Sequence, residues 1–99
     1  MTYNGWTNYQ TWAVKLHWDN NQGDYNYFQE QCREYMKANK PSWEFADYLK
    51  EIGEEIFQSI IEGNANEEAK MMIQDVGNMN DVNWDEIAKA YYEENKNET

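Results

Sequence analysis

His17 and Cys32 are the only histidine and the only cysteine in the 99-residue chain, and they are the residues best suited to nucleophilic chemistry. A Cys–His pair reacts only when the thiol and the imidazole lie within hydrogen-bond reach and a third group orients the ring. Cys32 falls on an apolar helix face beside Phe28 and Tyr35, which indicates a buried, inert thiol. One histidine cannot build a zinc site, and the chain has neither a Glu-x-x-His pair nor a glycine-rich phosphate loop. We therefore expect no catalytic residue, no metal, no cofactor and no enzymatic activity.

A more informative pattern is a row of carboxylates on one predicted helix, called here the acidic stripe and defined as Asp47, Glu51, Glu54, Glu55 and Glu62. Two pairs within it are spaced four residues apart, where like charges destabilise a helix by about 0.2–0.5 kcal/mol per pair, and only Lys50 relieves them. Carboxylates at this spacing lie about 6 Å apart along the helix axis, whereas alternate phosphates of one DNA strand lie about 6.8 Å apart. The stripe is either a solvated face or a surface that imitates nucleic acid, and the sequence leaves both interpretations open.

The charge of the chain is unevenly distributed. Residues 1–43 carry four acids and four bases, so the whole net charge of −11 resides in the remaining 56 residues. A strongly acidic domain repels nucleic acid and anionic membranes and attracts basic protein surfaces. We therefore expect a basic protein partner, with no direct contact to nucleic acid or to a membrane.

Length and composition predict one folded domain spanning residues 1–99. The mean hydropathy of −1.12 is typical of disordered chains, but five Trp, eight Tyr and three Phe supply enough apolar surface for a core. A single cysteine excludes an internal disulfide, and the chain shows neither signal-peptide features nor an apolar run of about 20 residues. These features favour a cytoplasmic protein.

The first predicted helix covers about residues 8–19 and begins at a capping box made by Thr7 and Gln10. The same segment alternates apolar and polar residues in a strand-like way, and the capping box decides for a helix. Val14 and Trp18 lie on the face opposite Leu16, so both faces are apolar. We expect this helix either at the centre of the domain or in the seam of an oligomer.

Two further helices follow a predicted turn at residues 20–23. The second covers about residues 25–39, with Asp24 as its cap and Pro41 beyond its end. The third covers about residues 43–62, with Ser42 as its cap, and carries the acidic stripe opposite an apolar face. That face is formed by Phe45, Leu49, Ile52, Ile56 and Ile60.

The last two helices have clear start signals. Asn66 is placed to cap a fourth helix over about residues 67–77, and Asn83 with Glu86 forms a box-like start for a fifth from Trp84 to about residue 94. Residues 95–99 are expected to fray. The sequence therefore predicts an all-α fold, a compact single-domain bundle of about five short helices.

The aromatic residues divide into two groups. One group falls on predicted core faces, and the other is left for the surface, where aromatic side chains are natural interface anchors. Trp18 and Trp43 are the surface candidates that we join to the acidic stripe as partner-binding residues. The predicted core group is Tyr9, Trp12, Phe28, Phe45 and Trp84.

Three segments carry a resemblance that spans most of the chain. Residues 4–12 read N-G-W-T-N-Y-Q-T-W, residues 82–88 read V-N-W-D-E-I-A, and residues 45–50 read F-A-D-Y-L-K. The chain thereby resembles a family of small phage and mobile-element proteins whose pattern opens N-G-W-x-N-Y-x-T-W and closes V-N/D-W-x-E-I-A. That family has no settled function, so the resemblance implies no active site. It implies a genomic setting in which short acidic proteins often blunt host defences.

Two function hypotheses follow. The first is an inhibitor of a host nucleic-acid-binding defence complex, of the anti-CRISPR or anti-restriction type, acting by protein–protein binding as a nucleic-acid mimic. The alternative is a phage accessory or assembly protein that forms a homodimer or larger oligomer through Trp18. Sequestration of signalling nucleotides is disfavoured, because such ligands are anionic like the protein itself.

Overall fold

The structure, a computed structural model, describes residues 2–96, which form five α-helices and one 3₁₀ turn at Met79–Asp81. The helices are α1 (Tyr9–Asn20), α2 (Gln22–Lys37), α3 (Ser42–Ile61), α4 (Glu67–Val76) and α5 (Trp84–Asn95). Within the described range the only β-type pairing is one isolated bridge between Tyr3 and Trp6. The predicted all-α, five-helix fold is confirmed.

Four of the five helices begin at an asparagine. The side-chain oxygens of Asn8, Asn21, Asn66 and Asn83 each accept the backbone N–H of the residue three positions on, at 2.8–3.1 Å. Such a bond satisfies one of the amides that a helix start leaves without an intrahelical partner. The predicted caps Asn66 and Asn83 are confirmed.

The other three predicted caps are wrong, although α1 and α3 begin within one residue of their predicted starts. Asn8, and not Thr7, caps α1 through its side-chain oxygen, while the backbone N–H of Thr7 donates to the Glu86 carboxylate at 2.9 Å. Asn21 ends α1 and caps α2 at once, which leaves no room for the predicted turn at residues 20–23 or for Asp24 as the cap. Ser42 is the first residue of α3, after Pro41, and α3 has no side-chain cap.

One hydrophobic core joins the five helices. α5 packs against α3 and α2, while α1 packs against α4 and α2. The predicted core residues Phe28 and Phe45 are buried, at 3 % and 0 % exposure. Tyr9, Trp12 and Trp84 pack against this core while remaining partly exposed, so their predicted placement on core faces is confirmed.

Trp18 lies inside the core, which contradicts its predicted role as a surface anchor. It is 2 % exposed, and its ring stacks on Phe28 with 4.2 Å between centroids and lies 6.0 Å from Trp84. The reason is that α1 runs between α2, α4 and α5, so other helices of the same chain cover the face that carries Trp18. The face with Val14 and Trp18 is therefore covered within the same chain, as expected of a central helix, whereas Leu16 on the opposite face is 37 % exposed.

The opening and closing motifs are hydrogen-bonded to each other. Asn4 and Gly5 both have positive φ, at 49° and 87°, and form the tight turn that the bridge between Tyr3 and Trp6 closes. Farther along, the Thr11 hydroxyl accepts the backbone N–H of Asn83 at 2.9 Å, and the amide of Asn8 donates to the Asp81 carbonyl at 2.7 Å. These motif residues thus hold the two ends of the domain together.

The end of α5 is better ordered than predicted. Asn95 is 1 % exposed, and its amide donates to the Gln29 side-chain oxygen at 2.6 Å, so the predicted fraying is wrong at this residue. Residues 97–99 lie outside the described residues. No helix in the described range is both long enough and apolar enough to span a membrane.

Candidate protein-binding face

The acidic stripe lies on the outer surface of α3, where all five of its side chains are exposed. Within residues 2–96 none of them has a cationic group within 4.0 Å. On each of three other helices, in contrast, one exposed acid is paired with a lysine three residues along the chain. These pairs are Glu34 with Lys37 at 3.9 Å, Glu67 with Lys70 at 3.7 Å and Glu93 with Lys96 at 2.5 Å.

The negative potential of α3 reaches the tyrosines beside it. Burial raises the pKa of Tyr35, and the carboxylates of Glu44 and Glu51 raise it further. Burial also raises the pKa of Tyr48, with contributions from its hydrogen bond to Tyr27 and from the charge of Glu55. Each shift has the sign expected when an anion disfavours a second negative charge nearby.

Exposed apolar side chains run along one flank of the stripe. Trp43, Phe57 and Ile61 are 59 %, 43 % and 64 % exposed. Their spacing of 14 and 4 residues places all three on one side of a helix with 3.6 residues per turn, next to Glu54. Trp43, predicted as a partner-binding residue, therefore lies on the same helix surface as the stripe, whereas Trp18 does not.

A cleft opens between this flank and the segment that leads into α5. It has a volume of about 780 Å³, and α3 contributes Gly53, Glu54 and Phe57 to its wall. The opposite wall comes from residues 77–80, Val82 and Trp84. We call it the α3–α5 cleft.

Gly53 allows the floor of this cleft to form. A Cβ at this position would lie 2.6 Å from Cη2 and 2.8 Å from Cζ2 of Trp84, and 3.2 Å from Cε of Met79. These distances are shorter than van der Waals contact, so the indole ring rests directly on the backbone of α3. Trp84 is thereby fixed with one side on the core and the other in the cleft.

The sequence carries two signals for the cleft, neither of which entered the predicted set of binding residues. Phe57 and Ile61 do not belong to the apolar face of α3, so their exposure follows from the helical period. Gly53 interrupts an otherwise good helical segment, which commonly marks a close approach of another group.

The residues first considered for catalysis lie in separate surroundings. His17 Nε2 is 3.0 Å from Asp75 Oδ2, and the other oxygen of Asp75 accepts the Tyr9 hydroxyl. Cys32 is fully buried beside Met36, and its burial raises the pKa of the thiol to about 11. Over residues 2–96 no group of three His, Cys, Asp or Glu side chains is arranged to hold a metal ion.

Comparison with curated proteins and with solved structures found no match. Comparison with protein families gave one, which extends over residues 1–98 and thus over nearly the whole chain. The chain belongs to this family, which is described as a family of unknown function (DUF7249).

Proposed function

We propose that this protein binds a basic, nucleic-acid-binding host protein through the acidic stripe, with Trp43 as an apolar anchor, and so keeps nucleic acid out of the partner's groove. The observation that carries the proposal is the set of five exposed carboxylates, none of which has a cationic group within 4.0 Å in the described residues, on a helix that also exposes a tryptophan. Complementary charge speeds association and selects partners, and tryptophan is enriched among the residues that dominate binding energy.

The energetics of α3 favour a binding role over plain solubility. Asp47, Glu51 and Glu55 repel one another at four-residue spacing, at a cost of about 0.2–0.5 kcal/mol per pair. Glu62 occupies the C-cap, where the helix dipole is negative and a cation would be stabilising. Acids placed elsewhere would keep the protein equally soluble without these costs, which supports a use of the stripe besides solubility.

The target class comes from the resemblance to small phage and mobile-element proteins. Proteins of such elements meet host nucleases, whose basic grooves are built to hold a row of phosphates. We therefore propose a CRISPR effector or a restriction enzyme as the partner, with the stripe acting as a mimic of the nucleic-acid backbone.

The alternative, an accessory protein that acts through oligomerisation, is less well supported. Trp18, the residue expected to join two copies, is 2 % exposed. A homodimer built on α3 would instead bring two acidic stripes near each other, and the net charge of −11 opposes that contact.

The test compares two variants of equal net charge. The stripe variant replaces Glu51, Glu54, Glu55 and Glu62 with Gln, which preserves helix propensity. The control variant replaces four exposed acids on other helices with Gln. These are Glu30, Glu34, Glu67 and Glu93.

Both variants and the parent are assayed for inhibition of DNA cleavage by a panel of purified CRISPR effectors and restriction enzymes. We expect the parent and the control to inhibit one member, and the stripe variant to inhibit it about tenfold less at low ionic strength. The difference should shrink at about 1 M salt, where the Debye length is about 3 Å. Equal inhibition by the stripe variant and the control would refute the role of the stripe.

A further inference from the structure

We propose that the α3–α5 cleft receives one large apolar side chain from a basic segment of the partner. This inference rests on the proposed function and names the kind of segment that the acidic face binds. The occupant is a phenylalanine, tryptophan or leucine flanked by lysine or arginine, so the stripe holds the flanks and the cleft holds the anchor.

The size and lining of the cleft fit such an anchor. Its volume of about 780 Å³ lies in the range of about 300–1,000 Å³ of pockets that hold drug-sized ligands, so it is large enough to admit one side chain. Trp84 and Met79 form an apolar floor, and Phe57, which is 43 % exposed, stands at the rim. An apolar group that enters would remove these side chains from water together with itself, which is the main source of affinity at a protein interface.

Charge decides what flanks the anchor. Glu54 belongs both to the rim of the cleft and to the acidic stripe, so an occupant of the cleft lies directly beside a row of carboxylates. Lys50 is the cationic residue of the rim and repels a basic segment on its own side. The basic flanks are thereby directed along the stripe, and an acidic segment is rejected by the same carboxylates.

The experiment uses two synthetic peptides as probes. Each is a lysine-rich peptide of about a dozen residues, identical except for one central position that is phenylalanine or alanine. Their binding to the full chain is measured by calorimetry. We expect the phenylalanine peptide to bind the parent about tenfold more tightly, which is the affinity ratio for a difference of about 1.4 kcal/mol.

Variants locate the origin of that ratio. Phe57→Ala removes one wall of the cleft, and its side chain is exposed enough for the fold to tolerate the loss, so the ratio should fall to about twofold. Tyr25→Ala is the control, because it truncates an exposed aromatic residue of similar size, at 41 % exposure, outside the cleft. This variant should keep the parental ratio.

A spectroscopic measurement identifies the contact independently of affinity. The ring of a bound phenylalanine would shift the NMR signal of the Met79 methyl group, and the alanine peptide would not. Equal affinity of the two peptides for the parent, an unchanged ratio in Phe57→Ala, or an unshifted Met79 methyl signal would each overturn the inference.

The stripe variant separates failure of this inference from failure of the proposed function. It should weaken both peptides equally and leave their affinity ratio intact. If the affinity ratio is preserved and the stripe variant inhibits the nuclease as well as the parent does, the anchor site in the cleft is supported and the binding role of the stripe is refuted. If the parent bound both peptides equally while nuclease inhibition still depended on the stripe, the cleft would be refuted and the role of the stripe would stand.

Discussion

Gly53→Ala should destabilise the domain, although alanine is the better helix former. In an exposed helix interior this substitution would add about 0.8–1.0 kcal/mol of stability. At Gly53 the new Cβ would lie 2.6 Å and 2.8 Å from two carbons of the Trp84 ring, and a rigid indole cannot yield by bending. Overpacking of this kind costs about 1–3 kcal/mol. The net loss should be about 1 kcal/mol, which lowers Tm by about 4–8 °C in a domain of this size.

Thermal unfolding followed by circular dichroism measures the effect, and Gly23→Ala is the matched control. Gly23 lies in the first turn of α2, where a Cβ would approach no atom closer than Asn21 Oδ1 at 3.4 Å. That substitution should stabilise the fold by about 0.4–1 kcal/mol, because it only restricts the unfolded chain. The two glycine-to-alanine changes are therefore expected to have opposite signs.

A second substitution isolates the cause. Trp84→Phe removes the six-membered part of the indole that carries both contacting carbons, so Gly53→Ala in this background should become neutral or stabilising. The resulting coupling between the two positions should be about 1–3 kcal/mol, as found for residues in direct contact. If Gly53→Ala raises Tm as much as Gly23→Ala does, the close approach of Trp84 to α3 is refuted.

Two further predictions concern the core and the link between α1 and α4. Trp18→Ala should lower the free energy of unfolding, measured by urea denaturation, by about 3–5 kcal/mol, as large-to-small core changes do. Trp43→Ala should change it by less than about 0.5 kcal/mol. Equal effects of the two substitutions would contradict the burial of Trp18. Hydrogen bonds from Tyr9 and from His17 lower the pKa of Asp75, so the stabilisation they give is present above the unfolded-state value of about 3.9 and is lost as pH falls through the folded-state value. Asp75→Asn should therefore reduce the dependence of the free energy of unfolding on pH below about 4, measured by urea denaturation at several pH values. If this dependence is the same in the variant and the parent, Asp75 contributes nothing to it.

The helices were predictable because their signals are local. The apolar face of α3 and the caps Asn66 and Asn83 depend on residues within a few positions of one another, and the structure confirms them. The caps of α1 and α2 were missed for a local reason too. Asn8 lies next to Thr7 and Asn21 lies three residues before Asp24, and all four residue types can cap a helix, so composition alone did not decide between them.

The surroundings of α1 could not be predicted, because they depend on which helices cover it. Its apolar residues lie on both faces, and one sequence does not distinguish cover by the same chain from cover by a second copy. The burial of Lys15 could not be predicted either, because a charged residue is expected at the surface and this one is only 4 % exposed. It is held by Asp19 of its own helix at 2.6 Å and by Glu94 of α5 at 2.9 Å. The second partner lies 79 positions away.

The sequence predicted one part of the candidate protein-binding face, the part formed by a single helix, but not the cleft beside it. The acidic stripe and Trp43 lie on one helix, so the helical period alone placed them together. The α3–α5 cleft needs α3 and the segment before α5 to meet, and this contact depends on tertiary packing. Its one local sign was a glycine in the middle of a helix, which by itself names no partner.

A binding role for α3 is best supported by the contrast among the helices of this one domain. On α2, α4 and α5, one exposed acid of each helix is paired with a lysine three residues along the chain, whereas no acid of the stripe is paired in the described residues. On α3 the inner face is committed to the core through Phe45 and Leu49, while the outer face gathers carboxylates at repulsive spacing and places Glu62 at the unfavourable end of the dipole. The same face exposes Trp43, whose burial would be worth about 1.5–3 kcal/mol or more, since even smaller apolar side chains reach that range. Both costs would be relieved if a basic surface with an apolar patch covered α3, which is the kind of partner that we propose.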